Sequence, residues 1–202
     1  SEGHPDYDPN GNYTAIMNGT SSAAPVTSGG IALILSANPK LTWREVKHIL
    51  VKTSDKIHSD DQGGNHPLGK NLEGHQYRSG WVMNAAGNSF NNYYGFGRLN
   101  VDKAVDMAKD FSYNFSPLVL KEHTKFELGL PVPDYSPTGI TIEVENSSNL
   151  TIESVRLEIN ADHTRASDFG FEITSPSGTK SILLPINSHI AKFKQASYSN
   201  HN

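Results

Sequence analysis

The sequence predicts a chain in two parts: a helix-bearing first part over residues 1–112 and an all-β sandwich over residues 113–202. Three observations point there. A run of small and apolar residues after Ser21 has almost no polar face, as a helix enclosed by protein does. Two further apolar-periodic segments open on Thr42 and Asn100, residue types that cap helix starts. Beyond residue 112, apolar and polar residues alternate, the period of half-buried strands.

The first helix is expected from Ser21 to Ala37 and to be buried, because Gly29, Gly30, Ala32 and Leu33 leave it no polar side. Asn38-Pro39 stops it, since proline cannot continue a helix. Pro25 is placed in its first turns, where a missing N–H costs least. The second helix begins at Thr42. Thr42-Trp43-Arg44-Glu45 reads as a capping box, with Glu45 reaching back to the Thr42 amide. Trp43, Val46, Ile49 and Leu50 make its apolar stripe. The third helix follows Asn100, with Val101, Ala104, Val105 and Ala108 facing inward. Between the second and third, Ser54 to Asn92 is polar and rich in glycine and asparagine. Surface loops are predicted there, with a short strand pair near Trp81.

In the second part, Ile140, Ile142 and Val144 predict a strand closed by a turn at Asn146 to Asn149. Val155, Leu157 and Ile159 predict another, and Phe169, Phe171 and Ile173 a third. Ser175-Pro176-Ser177-Gly178 carries proline and glycine at the second and fourth positions of a type I turn. Ile182 to Leu184 return from it. Short strands with such turns predict a sandwich. The joining segment holds Phe111, Tyr113, Phe115 and Leu118. It lacks the Gly/Ser composition of a flexible tether, so a fixed, buried joint is expected.

Composition narrows the function classes. The chain is 36% hydrophobic and 19% charged, as folded globular proteins are. Its formal net charge is -4, and no basic cluster offers a nucleic-acid footprint. No apolar run reaches membrane-spanning length; no basic segment followed by an apolar core is visible at Ser1, which says little because the chain reads as cut at its start. With no cysteine, disulfides, thiol nucleophiles and thiolate metal sites are excluded. Asn12, Asn18, Asn114, Asn146 and Asn149 each open an Asn-X-Ser/Thr acceptor.

The segment that carries chemistry is Asn18-Gly19-Thr20-Ser21-Ser22-Ala23-Ala24-Pro25. A serine stands where a loop enters a helix. A helix start holds unpaired N–H groups and partial positive charge, which suit an attacking oxygen and the oxyanion it creates. Gly19 allows a substrate backbone close. Thr20 and Ser21 taken alone read as ordinary helix caps.

The whole string resembles the serine motif of the subtilase family, G-T-S-x-A-x-P before a small-residue helix. The resemblance implies Ser21 as the catalytic nucleophile, with Ser22 at the variable position. Gly19 and Thr20 would line the substrate approach. Asn38 to Val46, Trp81 to Gly87 and Tyr94 to Asn100 resemble the later catalytic domain of the kexin-like proprotein convertases. Asp162-His163-Thr164-Arg165 with Asp168, and Ser175 to Thr179, resemble the P domain that follows it there. Residues 1–112 are thus expected to be the C-terminal portion of an α/β subtilisin-like catalytic domain. Residues 113–202 are expected to be an incomplete P-domain sandwich that braces it.

A serine needs a base and an orienting carboxylate. The resemblance places both before the serine. His4, Asp6 and Asp8 precede Ser21, but no histidine in the chain is followed by glycine as the family's is. These three are rejected, and the partners are expected upstream. So are the oxyanion-hole asparagine, which Asn18 does not match, and the ligands of the family's structural calcium. Asp60-Asp61 reads as a solvated acidic loop rather than a cation site.

The resemblance further implies a secreted serine endopeptidase that cleaves polypeptides after basic residues. Its partners would be the upstream half of the catalytic domain and a propeptide or chaperone inhibitor. The rival readings are a non-catalytic subtilase-like scaffold and a β-sandwich adhesion module with a helical prefix. The intact Gly19-Thr20-Ser21 opposes the first, and three ordered subtilase strings oppose the second.

Overall fold

The structure is a computed structural model that describes residues 18–64, 75–123, 129–145, 150–161, 163, 168–186 and 197–199. The chain forms two compact units. One comprises Ser1–Ile57 with Tyr94–Phe115, the other His58–Tyr93 with Ser116–Asn202.

The first unit is a three-helix assembly. Helix α1 spans Thr20–Ala37, α2 Trp43–Thr53 and α3 Val101–Lys109. The capping box at α2 forms as the sequence indicates. The Thr42 N–H donates to Glu45 Oε2 at 2.6 Å and the Glu45 N–H to the Thr42 hydroxyl at 3.4 Å. Asn100 caps α3, its Oδ1 accepting from the Lys103 N–H at 3.0 Å. The helices meet through Ile34 of α1, Val46 and Ile49 of α2, and Ala104 and Ala108 of α3, all buried. Gly30 lets α1 approach the start of α3: a Cβ there would lie 2.9 Å from a Leu99 methyl. The Asn38 amide then ties the end of α1 to the Ala108 carbonyl at 3.0 Å.

Two expectations need correction. Helix α1 is buried only at Gly30 and Ile34; Val26 is 67% and Leu33 55% exposed. The apolar pattern runs all round the helix, and only one side meets α2 and α3. Trp43 belongs to the expected α2 stripe but is 67% exposed. It is the first residue of α2, beyond the helix crossing that buries Val46 and Ile49.

Between α2 and α3 in this unit, Asp55 and Arg98 exchange backbone hydrogen bonds at 2.9 Å in both directions. The Asp55 carboxylate accepts from Lys103 Nζ at 2.7 Å and Asn100 Nδ2 at 2.9 Å. Those bonds hold it below the usual carboxylate range, Lys103 most. Gly97 makes the approach possible. It has φ 121°, and a Cβ there would lie 2.3 Å from the Asp55 carbonyl oxygen.

The second unit is built of short antiparallel pairs. Strand β1 (Gly63–Gly64) pairs with β2 (Arg78–Ser79), and β3 (Val82–Met83) with β4 (Ser89–Phe90). Two strand pairs therefore flank Trp81, where one was expected. Further on, β5 (Glu158–Asn160), β6 (Phe171–Thr174), β7 (Lys180–Leu184) and β8 (Ser197–Ser199) follow. Pairing joins β5 to β8 and β6 to β7.

The β6–β7 hairpin turns where Pro176 and Gly178 indicate. The Gly178 N–H donates to the Ser175 carbonyl at 2.9 Å, and the Thr179 N–H to the Ser175 hydroxyl at 3.1 Å. A β-bulge at Phe171/Glu172 shifts the register.

The described residues form separate two-stranded sheets, not a sandwich. Ile140, Ile142 and Val144 are in no strand and are exposed. Val155 is likewise outside β5, and Phe169 precedes β6. Alternation alone does not make a strand where no neighbour satisfies the backbone N–H and C=O groups. The expected turn at Asn146 to Asn149 lies outside the described residues, as do Asp162, Thr164 and Arg165.

Candidate active site

Helix α1 begins abruptly. Gly19 is its N-cap, with φ 84° and ψ -173°, a left-handed region that a residue with Cβ enters at a cost. No side chain caps the helix. The Gly19 carbonyl accepts the Ser22 N–H at 3.1 Å and the Ala23 N–H at 3.3 Å. No described residue accepts from the N–H groups of Thr20 and Ser21. Asn18, Gly19, Thr20 and Ser21 are all exposed. The nucleophile candidate thus stands at an open helix start, with two free donors beside it and the positive end of the helix dipole beneath.

The residues behind it keep this end clear. A Cβ on Gly19 would meet nothing within 4 Å, so the space over the motif is open. Thr27 and Ser28 turn their hydroxyls back onto the Ala23 and Ala24 carbonyls at 3.1 and 3.0 Å, removing their polarity from the helix surface. Pro25 is the sixth residue of α1, within the first turns where the sequence placed it. Having no N–H, it leaves the Ser21 carbonyl without its helical donor. The Ser22 hydroxyl is buried and has no partner among the described residues. With its hydroxyl buried, it is poorly placed to attack a substrate.

Ser21, Gly19 and Thr20 are therefore contiguous on one exposed rim, as the motif requires. No described His or Asp hydrogen-bonds the Ser21 hydroxyl. His4, Asp6 and Asp8 lie outside the described residues. Asp60 is exposed, but Asp61 is neither a solvated loop residue nor a cation ligand. Its carboxylate takes Arg78 Nη1 at 2.6 Å and Nη2 at 2.9 Å. It also accepts from Asn91 Nδ2 at 2.8 Å and the Gly63 N–H at 3.1 Å. Among the described residues no three His, Asp or Glu side chains converge as metal ligands. The partnership of Asp61 was invisible in sequence because Arg78 and Asn91 join it across two loops.

Comparison with known proteins agrees with the motif reading. Residues 3–97 match the Subtilase family. An extracellular serine protease of Aeromonas sobria is 35% identical over 200 residues, covering 94% of this chain and 31% of that protein. Neuroendocrine convertase 2 of Rattus norvegicus is 35% identical over 183 residues, covering 86% of this chain and 26% of the convertase. The crystal structure of the serine protease of Aeromonas sobria superposes with a TM-score of 0.74 at 30% identity, over 91% of this chain and 32% of that one. The same protease in complex with its chaperone superposes at 0.59 and 30% identity, over 87% of this chain and 30% of that one. The chain spans about a third of the length of the Aeromonas sobria protease.

Proposed function

Because the chain belongs, through residues 3–97, to the subtilase family, we propose that it supplies the nucleophile of a secreted serine endopeptidase, and that Ser21 is that nucleophile. The observation that carries this reading is the open start of α1. There an exposed Ser21 follows a glycine at φ 84°, and its own N–H is unclaimed by any described residue.

In the proposed reaction the Ser21 hydroxyl oxygen adds to the scissile carbonyl. A histidine upstream of this chain, oriented by an upstream aspartate, takes its proton. The carbonyl electron pair moves onto oxygen, and the Ser21 N–H at the helix start stabilises that oxyanion. The imidazolium returns the proton to the leaving amine as the C–N bond breaks. Water then attacks the acyl-serine by the same route and releases the carboxylic acid.

Polypeptides are the proposed substrates. Cleavage after basic residues is proposed from the likeness to the convertases. A chaperone or propeptide is proposed as partner, supported by the chaperone complex of the Aeromonas sobria protease. Secretion is supported by the extracellular relative, and no described helix is long and apolar enough to cross a membrane. Residues 113–202 are proposed as part of a P-domain-like companion. A structural calcium ion with ligands upstream of this chain is proposed from the family likeness alone; among the described residues no three His, Asp or Glu side chains converge, and no step depends on the ion.

The test is covalent. A fluorophosphonate probe on the full-length protein, followed by peptide mapping, is expected to mark Ser21. No label on active protein, or a label on another serine, contradicts the assignment. A non-catalytic scaffold would leave Ser21 unmodified.

A further inference from the structure

Helix α2 carries a histidine that the proposed chemistry does not use. His48 lies within a cage of three rings from the segment after α3. Its imidazole stacks on Tyr113 at 5.0 Å and 19°. It meets Phe115 edge-on at 5.3 Å and Phe111 at 6.0 Å. Tyr113 and Phe115 also pack edge to face at 4.6 Å. Four residues before His48, Arg44 places its guanidinium 4.7 Å over the Phe115 ring. The cage belongs to one compact unit, so the aromatic segment is fastened to α2 itself.

The fastening has no polar component at the histidine. Among the described residues none hydrogen-bonds its ring nitrogens, and no carboxylate bears on it. On its own helix the charged neighbours are Arg44 and Lys52, and Glu45 is engaged by the Thr42 cap. The one titratable group in the segment from Phe111 to Phe115 is the Tyr113 phenol. Lys109 and Asp110 precede it, and neither bears on His48.

We propose that His48 is a proton-operated latch: its neutral imidazole holds Phe111, Tyr113 and Phe115 on α2, and its protonation releases them. A half-buried imidazolium without an acceptor loses hydration and gains no counter-charge. At Phe115 the attraction of a ring face for a cation is already taken up by Arg44, which leaves the exposed Tyr113 ring as the one face open to the imidazolium. Burial, and then the charge of Lys52, lower the His48 pKa. The sign follows. The latch is closed above the free imidazole value of about 6.5, and it opens as pH falls through the lower folded value. Acid would therefore loosen the stretch that leads out of the helical unit while leaving the core at Ile34, Ile49 and Ala104 intact.

Hydroxyl-radical footprinting of the full-length protein tests this directly. Trypsin cuts after Lys109 and Lys121, and within that peptide the half-buried Phe111 and Phe115 are the reporting rings, since Tyr113 is 55% exposed even in the closed form. Residue-level oxidation of Phe111 and Phe115 is expected to rise several-fold as pH falls from neutral to about 5, with a midpoint below about 6.5. His48→Phe, which keeps a ring but cannot be protonated, is expected to stay protected throughout. Lys52→Gln, which removes the repelling charge, is expected to move the wild-type midpoint upward; it serves even where His48→Phe does not fold. A flat wild-type profile, His48→Phe opening at the wild-type pH, or an unmoved midpoint in Lys52→Gln would each overturn the latch.

Discussion

Arg78 closes a two-point fork on Asp61, with Nη1–Oδ2 at 2.6 Å and Nη2–Oδ1 at 2.9 Å. Its guanidinium also lies 4.2 Å over the Tyr93 ring. Together with the fully buried Asn91, the pair knots the loops between His58 and Tyr93. The Asp61 carboxyl is held far below the usual carboxylate range, by Arg78 most and by Asn91 next. A depressed carboxylate stabilises above its unfolded pKa of about 3.9 and loses that contribution as pH falls through the folded value. Melting is therefore expected to respond to Asp61 only in acid, not between pH 7 and 5. Asp61→Asn and Arg78→Met should each lower melting at pH 7, and the double variant should lose less than their sum. Strict additivity would show that the fork is not a coupled unit.

Two helix caps of unequal reach offer a graded comparison. Thr42 joins only the box at the start of α2, whereas Asn100 caps α3 and also donates to Asp55 at 2.9 Å. Thr42→Ala is expected to cost about 1 kcal/mol, and Asn100→Ala roughly 2 kcal/mol through the added bond. Urea unfolding midpoints measure both. Equal losses would mean that the Asp55 link adds nothing.

Gly19 and Gly97 both sit at positive φ but differ in surroundings. At Gly97 a Cβ would strike the Asp55 carbonyl at 2.3 Å, so Gly97→Ala should prevent the Asp55–Arg98 bridge and strongly destabilise the protein. At Gly19 a Cβ meets nothing within 4 Å. Gly19→Ala is left with the backbone strain of a region essentially reserved for glycine, about 1–3 kcal/mol, and should fold. In the assembled enzyme it should lower kcat/KM by crowding the substrate backbone. Normal kcat/KM in Gly19→Ala would remove Gly19 from the substrate approach.

The exposed Asn18 opens an acceptor sequence beside the nucleophile. In a glycosylating host, active protein should carry no glycan there, since a glycan would cover Ser21. Mass mapping of the active fraction checks this, and occupied Asn18 in active enzyme would displace the site from this loop.

What could be read in sequence was local. The Thr42–Glu45 box, the Asn100 cap and the Ser175–Gly178 turn each depend on groups a few positions apart, and short-range chemistry decides them. The Gly19-Thr20-Ser21 rim was legible for the same reason. The sidedness of α1 was not, because an all-round apolar pattern does not say which face has a neighbour. Ile140 to Val144 alternate as a strand would, yet none forms, since pairing is a property of two segments. Nothing local in the sequence marks His48, whose ring partners Tyr113 and Phe115 lie more than sixty positions further along the chain.

The most direct measurement is peptide hydrolysis by the full-length protein with Ser21→Ala beside Ser22→Ala. Ser22 has its hydroxyl buried, while Ser21 is exposed. Ser21→Ala is expected to lose turnover on the order of a millionfold, the known cost of removing the nucleophile in subtilisin, with melting unchanged. Ser22→Ala is expected to keep most activity. Comparable losses in the two variants, or substantial hydrolysis by Ser21→Ala, would contradict the assignment of Ser21 as the nucleophile.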